Sequence, residues 1–318
     1  MIHFYTLINN KPVLTTTNDP SAQWLHVEKP SSEEITQLQT TYHLPKDYIT
    51  AVLDDAENSR HEGLKQVEFT RALLLLLQFP HAALSSNGFM QYTTYPLAVI
   101  FTPNQQIITI SNYPPVFLDS FSNWQIITEA DSPELELALQ ILWELVLSFN
   151  HYLKKIKEQL LLLENQIKVS TENKQLYQML DIQKSLVLIE SATKNNYTTL
   201  QSFAEVHFLK KQPHLVNAMQ DILIEIKQAV TSATIHLKLV DQITNTFSAI
   251  VSNNLNNVMK ILTSITLVLT IPTIIGGIYG MNVALPFADS KGAFWLIAVS
   301  TILLCILAIR YLKKKNLL

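Results

Sequence analysis

The sequence of 318 residues has one cysteine, Cys305, and only six glycines. A lone cysteine excludes a disulfide framework and any zinc site built on cysteine pairs. So few glycines leave no phosphate-cradling loop, so neither a nucleotide nor an organic cofactor is expected. The nine histidines are scattered, and none forms a helical pair around a glutamate; a zinc hydrolase therefore has no support. Asp55, Glu57 and Arg60 cluster in sequence without a nucleophile or glycine loop, which reads as a local ion-pair network, and no catalytic residue is assigned. Charge is also scarce, at 15% of residues against about a quarter in an ordinary soluble domain.

That shortage is local. From Val258 onward stand six basic residues and one acid, Asp289, whereas the preceding 257 residues hold 17 basic and 25 acidic ones. An acidic folded part argues against nucleic acid as a partner. No charge occurs over the 28 residues Ile261–Ala288 or the 18 residues Gly292–Ile309. A bilayer core needs about 20 apolar helical residues, so two membrane spans are expected, at 258–279 and 293–312. A turn at 280–292 would join them and a basic tail, 313–318, would follow. Trp295 and Tyr311 fall near the expected boundaries, as in an aromatic belt. Lys260, Arg310, Lys313, Lys314 and Lys315 flank the spans, while the turn holds Lys291 offset by Asp289. The positive-inside rule then puts both termini in the cytoplasm and the turn outside. Met1–Asn10 has neither a basic nor an apolar signal region, so no secretory leader is expected.

Residues 1–130 read as a mixed α/β domain. Strands are expected at Ile2–Ile8, Trp24–Glu28, Leu64–Thr70, Ala72–Phe79, Tyr92–Phe101 and Gln105–Ile110, with Pro96 an obstacle in one of them. Helices are expected at Ser31–His43, opened by a Ser31/Glu34 capping box, and at Pro45–Glu57. Residues 131–257 read as long helices and a stalk: Ser132–Val169, with proline at its first position, then Glu172–Lys210, then a helix from His214. Along that helix an apolar series from Leu215 to Val258 covers 43 residues in 12 steps, about 3.6 per step, the α-helical period. It enters the first span without a breaker, and a helix from His214 to Tyr279 would be roughly 100 Å long. A helix of that length needs neighbours to bury its stripe, so an oligomer is expected.

Within the first span Asn256, Met259, Thr263, Thr266, Thr270, Thr273, Gly277 and Gly280 recur at steps of three and four, and so share one face. In hydrocarbon, a hydroxyl stripe serves either a water-filled lumen or a partner helix; spacing alone fits both, and Gly276 with Gly280 is also a small-xxx-small pair. The stripe offers amides, hydroxyls and carbonyls but no carboxylate. That set suits an ion that keeps its water, and Mg²⁺ sheds water reluctantly.

The span closes on Tyr279-Gly280-Met281-Asn282. A Gly-Met-Asn triplet at the end of the first of two C-terminal spans, with a Lys-rich end beyond, resembles the CorA family of magnesium transporters. Val251-Ser252-Asn253 through Asn257-Val258-Met259-Lys260 is similar to the family as well. The resemblance implies a funnel-shaped homopentamer in the plasma (inner) membrane, with an α/β cytoplasmic domain, a coiled-coil-like stalk and two transmembrane helices per chain. It assigns Asn282 to an outer ring contacting hydrated Mg²⁺, with the Gly280 carbonyl below it. Gly277, Thr273, Thr270, Leu262 and Asn256 take the deeper pore positions. Family members often carry Met where Thr270 stands, which makes Leu262 and Met259 the candidates for a hydrophobic constriction. The family's cytosolic Mg²⁺-sensing acids correspond to Asp221 and to Asn245. The partner segment around Phe79–His81 holds no acid, so any regulatory site would use others, such as Glu225, Asp54, Asp55 or Glu57. The turn lacks the glutamate that many members carry; Asp289 either supplies the outer negative charge in its place or serves as a turn or helix-cap aspartate.

The expected function is passive import of Mg²⁺. Two alternatives stay open: the same fold carrying Co²⁺, Ni²⁺ or Zn²⁺, and a membrane-anchored coiled-coil scaffold or sensor whose threonine face only packs. A stripe free of Cys and His favours a hard, oxygen-ligated ion.

Overall fold

The computed structural model describes every residue except 10, 16–21, 65–69, 125–131, 170–172, 284–285, 287–291, 316 and 318. The strand expected at Leu64–Thr70, the break at Ser170-Thr171, and Asp289 and Lys291 of the outer turn fall wholly or mainly outside the described residues. The chain forms two compact units, Met1–Thr244 and Asn245–Leu318.

The first unit is built on a seven-stranded sheet. Its strands are β1 (Ile2–Ile8), β2 (Lys11–Thr15), β3 (Trp24–Glu28), β4 (Arg60–Glu62), β5 (Leu73–Leu84), β6 (Met90–Phe101) and β7 (Ile107–Ser111). Their order is β2-β1-β3-β7-β6-β5-β4, antiparallel throughout except for the parallel β3–β7 pair. Leu73 to Leu77 are five consecutive leucines, all buried, because the sheet is covered on both faces. Leu74, Leu76, Ala98 and Ile100 pack with Ile35 and Leu38 of α1 (Ser32–Tyr42) and with Tyr48 and Ile49 of α2 (Lys46–Thr50). On the other face Phe101 meets Phe203 of α4 (Asn173–Ala204), ring centroids 5.2 Å apart.

The Ser31/Glu34 capping box is present, with both reciprocal bonds made. Two helical expectations need correction. The helix foreseen to Glu57 stops at Thr50 and continues as one 3₁₀ turn, Ala51–Leu53. Asp54 then turns outward and its carboxylate accepts the Ala56 N–H at 3.0 Å, a local bond that competes with helix propagation. The helix foreseen to Lys210 breaks after Ala204, and α5 (His207–Lys210) is a separate turn. Val206 there has an extended backbone. Strands β2 and β4 were not foreseen; both are short and lie at the sheet edges, where burial writes little alternation into the sequence.

The other long helices are α3 (Pro133–Val169), α6 (Pro213–Tyr279) and α7 (Ala293–Lys314). Helix α4 also finishes the sheet. Pairing of β4 with β5 covers only Leu74–Leu76. One step further, the Asn196 side chain accepts the Gln78 N–H at 2.9 Å and donates to the Gln78 carbonyl at 2.7 Å, as a neighbouring strand would. Its oxygen also takes the Ser59 hydroxyl at 2.6 Å. The Gln78 backbone is thereby turned away from β6, so its partner Pro96 faces the side where the β7 ladder has ended at Leu97. The proline that looked like an obstacle removes no rung. Ser185 does similar work, accepting the Tyr92 N–H at 2.9 Å.

In the first unit α6 buries Leu215, Met219, Ile222, Ile226, Ala229, Ala233, Val240 and Ile243. His236 lies on the same face, buried, with Nδ1 unpartnered among the described residues. Burial holds its pKa below the ordinary 6.5, and the Lys157 charge adds to this.

Two outcomes follow for the first unit. Asn196→Ala leaves the Gln78 amide and carbonyl unsatisfied and should cost about 2–3 kcal/mol, read as a lower unfolding midpoint in denaturant; an unchanged midpoint would refute the ladder role. A histidine with a depressed folded pKa stays neutral in the fold while the unfolded chain takes up a proton. Stability should therefore fall as pH drops below 6.5, and His236→Gln should flatten that part of the stability–pH curve.

Candidate functional site

The site is built on the second unit, residues 245–318. The C-terminal part of α6 and the whole of α7 have mean hydropathies of 2.0 and 2.3 over their most apolar stretches, yet only 6% of either stretch is buried. A core helix of a soluble domain would be covered; these are apolar and bare, as helices meant for lipid are.

The two helices pack through one narrow seam. On α6, Lys260, Ser264, Val268, Ile271 and Ile275 lose exposure; on α7, Ala293, Ile297, Ala298, Thr301, Cys305, Ala308 and Leu312 do. The α7 side is mostly small residues, as interfaces between membrane helices tend to be. The Ser264 hydroxyl donates to the Leu317 carbonyl at 2.7 Å and ties the chain end back to α6.

At 3.6 residues per turn the expected polar stripe is centred about 140° around α6 from this seam. Asn256, Met259, Thr263, Thr266, Thr270, Thr273, Gly277 and Gly280 are all exposed on it, as is Leu262 beside it. The α6–α7 contact therefore makes no use of the threonines. Three of their hydroxyls are nonetheless committed: Thr266 donates to the Leu262 carbonyl at 2.8 Å, Thr270 to Thr266 at 2.8 Å, and Thr273 to Leu269 at 2.9 Å. A hydroxyl that has given its proton backward along its own helix presents only lone pairs outward. At these three positions the face presents acceptors. A hydrated cation turns its water hydrogens outward and matches such acceptors, while the Asn256 amide on the same face keeps N–H donors of its own.

Tyr279 is the last helical residue. Gly280 follows in a turn, its N–H donating to Gly276 at 3.0 Å. A Cβ on Gly280 would lie 3.2 Å from the Gly276 carbonyl oxygen, so a side chain there would crowd the carbonyls at the helix end. Met281 and Asn282 are exposed just beyond, which leaves the Asn282 amide free to project from the end of the stripe. The Tyr279 hydroxyl donates to the Pro286 carbonyl at 3.4 Å across the turn.

Cys305 has a role that its residue type did not signal. Pro272 lies inside α6 and has no N–H, so the carbonyl four residues earlier, at Val268, loses its helical donor. The Cys305 thiol of α7 points at that carbonyl, 3.8 Å away. The pairing joins positions 37 apart in sequence, so only the folded seam reveals it.

The acids named as regulatory candidates are not gathered. Asp221 is exposed on α6. Glu225, one turn on, accepts the Asn150 amide of α3 at 2.8 Å. Asp55 accepts the Tyr113 hydroxyl at 3.0 Å, and that bond pushes the phenol pKa up to about 12. Glu57 pairs with Arg60, which also lies near Asp47 and Glu62. Among the described residues no three His, Cys, Asp or Glu come together as a metal cluster. A Thr109–His26–Glu28 chain exists, with contacts of 2.8 and 3.3 Å, but Thr109 and His26 are sealed in the sheet core. A substrate has no access to it.

The chain matches the family model described as CorA-like Mg²⁺ transporter protein over residues 19–314. It is 24% identical over 162 residues to the cobalt/magnesium transport protein CorA of Methanocaldococcus jannaschii, covering 51% of each. It is 32% identical over 101 residues to the magnesium transport protein CorA of Helicobacter pylori, covering 31% of this chain and 32% of that one. In sequence, the chain thus spans about half the length of the first relative and a third of the second. The fold is similar to the complete structure of the CorA magnesium transporter of Methanocaldococcus jannaschii, with a TM-score of 0.79 at 19% identity over 98% of this chain and 96% of that one. It is also similar to the full-length CmaX protein, with a TM-score of 0.68 at 14% identity over 98% and 97%.

The seam makes its own prediction. Cys305→Ala should lower the stability of the membrane unit by about 0.5–1 kcal/mol, the usual size of an interhelical bond in a membrane, and Cys305→Ser should restore it. Unfolding in detergent reads both; equal losses for Ala and Ser would remove the thiol–carbonyl contact from the account.

Proposed function

The chain belongs to the CorA-like Mg²⁺ transporter family, and from that premise we propose that it is a passive Mg²⁺ import channel of the plasma membrane. In this reading it assembles as a homopentamer, with both termini in the cytoplasm. Five copies of α6 line the pore and five copies of α7 surround them. The α/β domain and the long helices, residues 1–257, are cytoplasmic. Asn282 forms the outer selectivity ring, with the Gly280 carbonyl next to it. Gly277, Thr273, Thr270, Thr266, Thr263 and Asn256 line the path, and Leu262 and Met259 narrow it.

One observation carries the reading: the threonine face is bare and turned away from α7, and Thr266, Thr270 and Thr273 give their hydroxyl protons to their own helix. A ring of such faces offers acceptors to the first-shell water of a divalent cation, so the ion need not shed its water to pass. An uncharged wall also avoids trapping a doubly charged ion. The membrane potential supplies the drive: a divalent ion crossing 100 mV gains about 4.6 kcal/mol, so inward flow requires no nucleotide. Asp221 and Glu225 are retained as candidate Mg²⁺-sensing positions, completed by acids of a neighbouring copy.

Co²⁺ is a second cargo, supported by the cobalt/magnesium name of the Methanocaldococcus relative. Hydrated Co²⁺ presents the same ring of water hydrogens, and nothing on the stripe distinguishes its inner chemistry.

The test is flux into liposomes holding a Mg²⁺-sensitive dye under an imposed potential. Asn282→Ala should reduce the initial rate by at least about tenfold, the effect expected when an ordered, hydrogen-bonded ion loses its ring of partners. Thr270→Val with Thr273→Val should reduce it while the assembly keeps its mass, and the matching Ser pair should hold it. Full flux in the Asn282 and valine variants would overturn the proposal. A change of assembly in the valine pair would instead support the scaffold reading, in which the stripe only packs.

A further inference from the structure

The far end of α7 carries a charged face that ion passage does not use. Arg310, Lys313 and Lys314 stand at i, i+3 and i+4, and so are neighbours on one side of the helix. All three are exposed, and among the described residues none forms an ion pair. By helical phase this side is turned more than about 100° from Cys305, Ala308 and Leu312, which pack on α6. The same side continues along the helix as an uncovered apolar ridge: Leu296, Val299, Leu303 and Leu307 are 63, 62, 58 and 52% exposed. Unpaired cations therefore sit directly below an unbroken hydrocarbon surface. At the opposite end of the helix stand Phe294 and Trp295, both exposed, as aromatic residues do at a membrane boundary.

We infer that this ridge is a binding site for an anionic phospholipid of the cytoplasmic leaflet. The headgroup phosphate is held by the Arg310 guanidinium fork together with Lys313 and Lys314. One acyl chain lies along Leu307, Leu303 and Val299. Free phosphate would satisfy the cations but leave the ridge bare, and a neutral lipid would cover the ridge but leave three charges unpaired at the interface. Only a ligand that joins a phosphate to a long chain, with net negative charge, meets both. Arg suits the planar, two-pronged contact and the lysines act as adaptable point charges. The inference rests on the membrane reading proposed above, but not on the ion carried.

The experiment uses the full-length chain. Purified protein is equilibrated with vesicles of phosphatidylcholine containing a minority of phosphatidylglycerol and re-extracted in mild detergent. The lipid that stays bound is then identified by mass spectrometry. Wild type should retain phosphatidylglycerol above its share of the vesicle, and added inorganic phosphate should not displace it. Arg310→Gln with Lys313→Gln and Lys314→Gln should lower that enrichment about tenfold or more, whereas Lys313→Arg with Lys314→Arg should keep it. No enrichment in wild type, or equal enrichment in the glutamine variant, overturns the inference. Displacement by inorganic phosphate also overturns it, because the site is then a simple anion site. So does a change in subunit number in the glutamine variant, because the face is then a contact between copies. A chain that inserts and conducts without lipid preference defeats this inference alone; a chain that fails to enter vesicles defeats the membrane reading with it.

Discussion

Polar groups at bilayer depth must find their partners within the protein, because lipid offers none. The second unit obeys this constraint in several ways. Threonine protons go to carbonyls one turn back. The carbonyl that Pro272 leaves without a donor faces the Cys305 thiol. Ser264 is tied to the chain end at Leu317. With these three protons committed, Thr266, Thr270 and Thr273 present oxygen lone pairs on one face of α6. The same economy that makes the helix tolerable in lipid gives the stripe its polarity toward water and cations.

The first unit meets the same requirement in the sheet interior. Where β4 ends, Asn196 substitutes for the missing strand at Gln78. Asp181, almost fully buried, takes the Ser85 hydroxyl at 2.6 Å and the Asn87 amide. Helix α4 thus closes the open ends of β5 and β6 with polar side chains, and covers the sheet with apolar ones. That arrangement fixes the sheet under the long helices. Helix α6, 67 residues long, contributes residues to both units.

Much of this was legible in the sequence, where one period dominates. The 3.6-residue series predicts α6, whose observed bounds are Pro213–Tyr279. Strands β1 and β3 fall where their residues were expected, because β-branched and aromatic residues are dense there. The end of α2 and the break before α5 were not legible, because single backbone choices at Asp54 and Val206 decide them and no periodicity marks those. Strand β4 was hidden for a related reason: Arg60-His61-Glu62 reads as a charged loop, and only pairing with Leu74–Leu76 makes it a strand. At the site, spacing placed the threonines on one face but left open what that face meets. Its direction relative to α7, and the commitment of its hydroxyl protons, needed coordinates.

The central claim is that the threonine face of α6 meets water. Single cysteines placed along α6 in a Cys305→Ser background test it most directly, through their reaction with a membrane-impermeant thiol reagent in the assembled protein. Thr266→Cys, Thr270→Cys and Thr273→Cys should react readily, and addition of Mg²⁺ should slow them. Ile265→Cys and Val268→Cys, on the lipid side and in the α7 seam, should stay inert. Protection of the threonine positions together with reaction at Ile265 would contradict the account and return the stripe to helix packing.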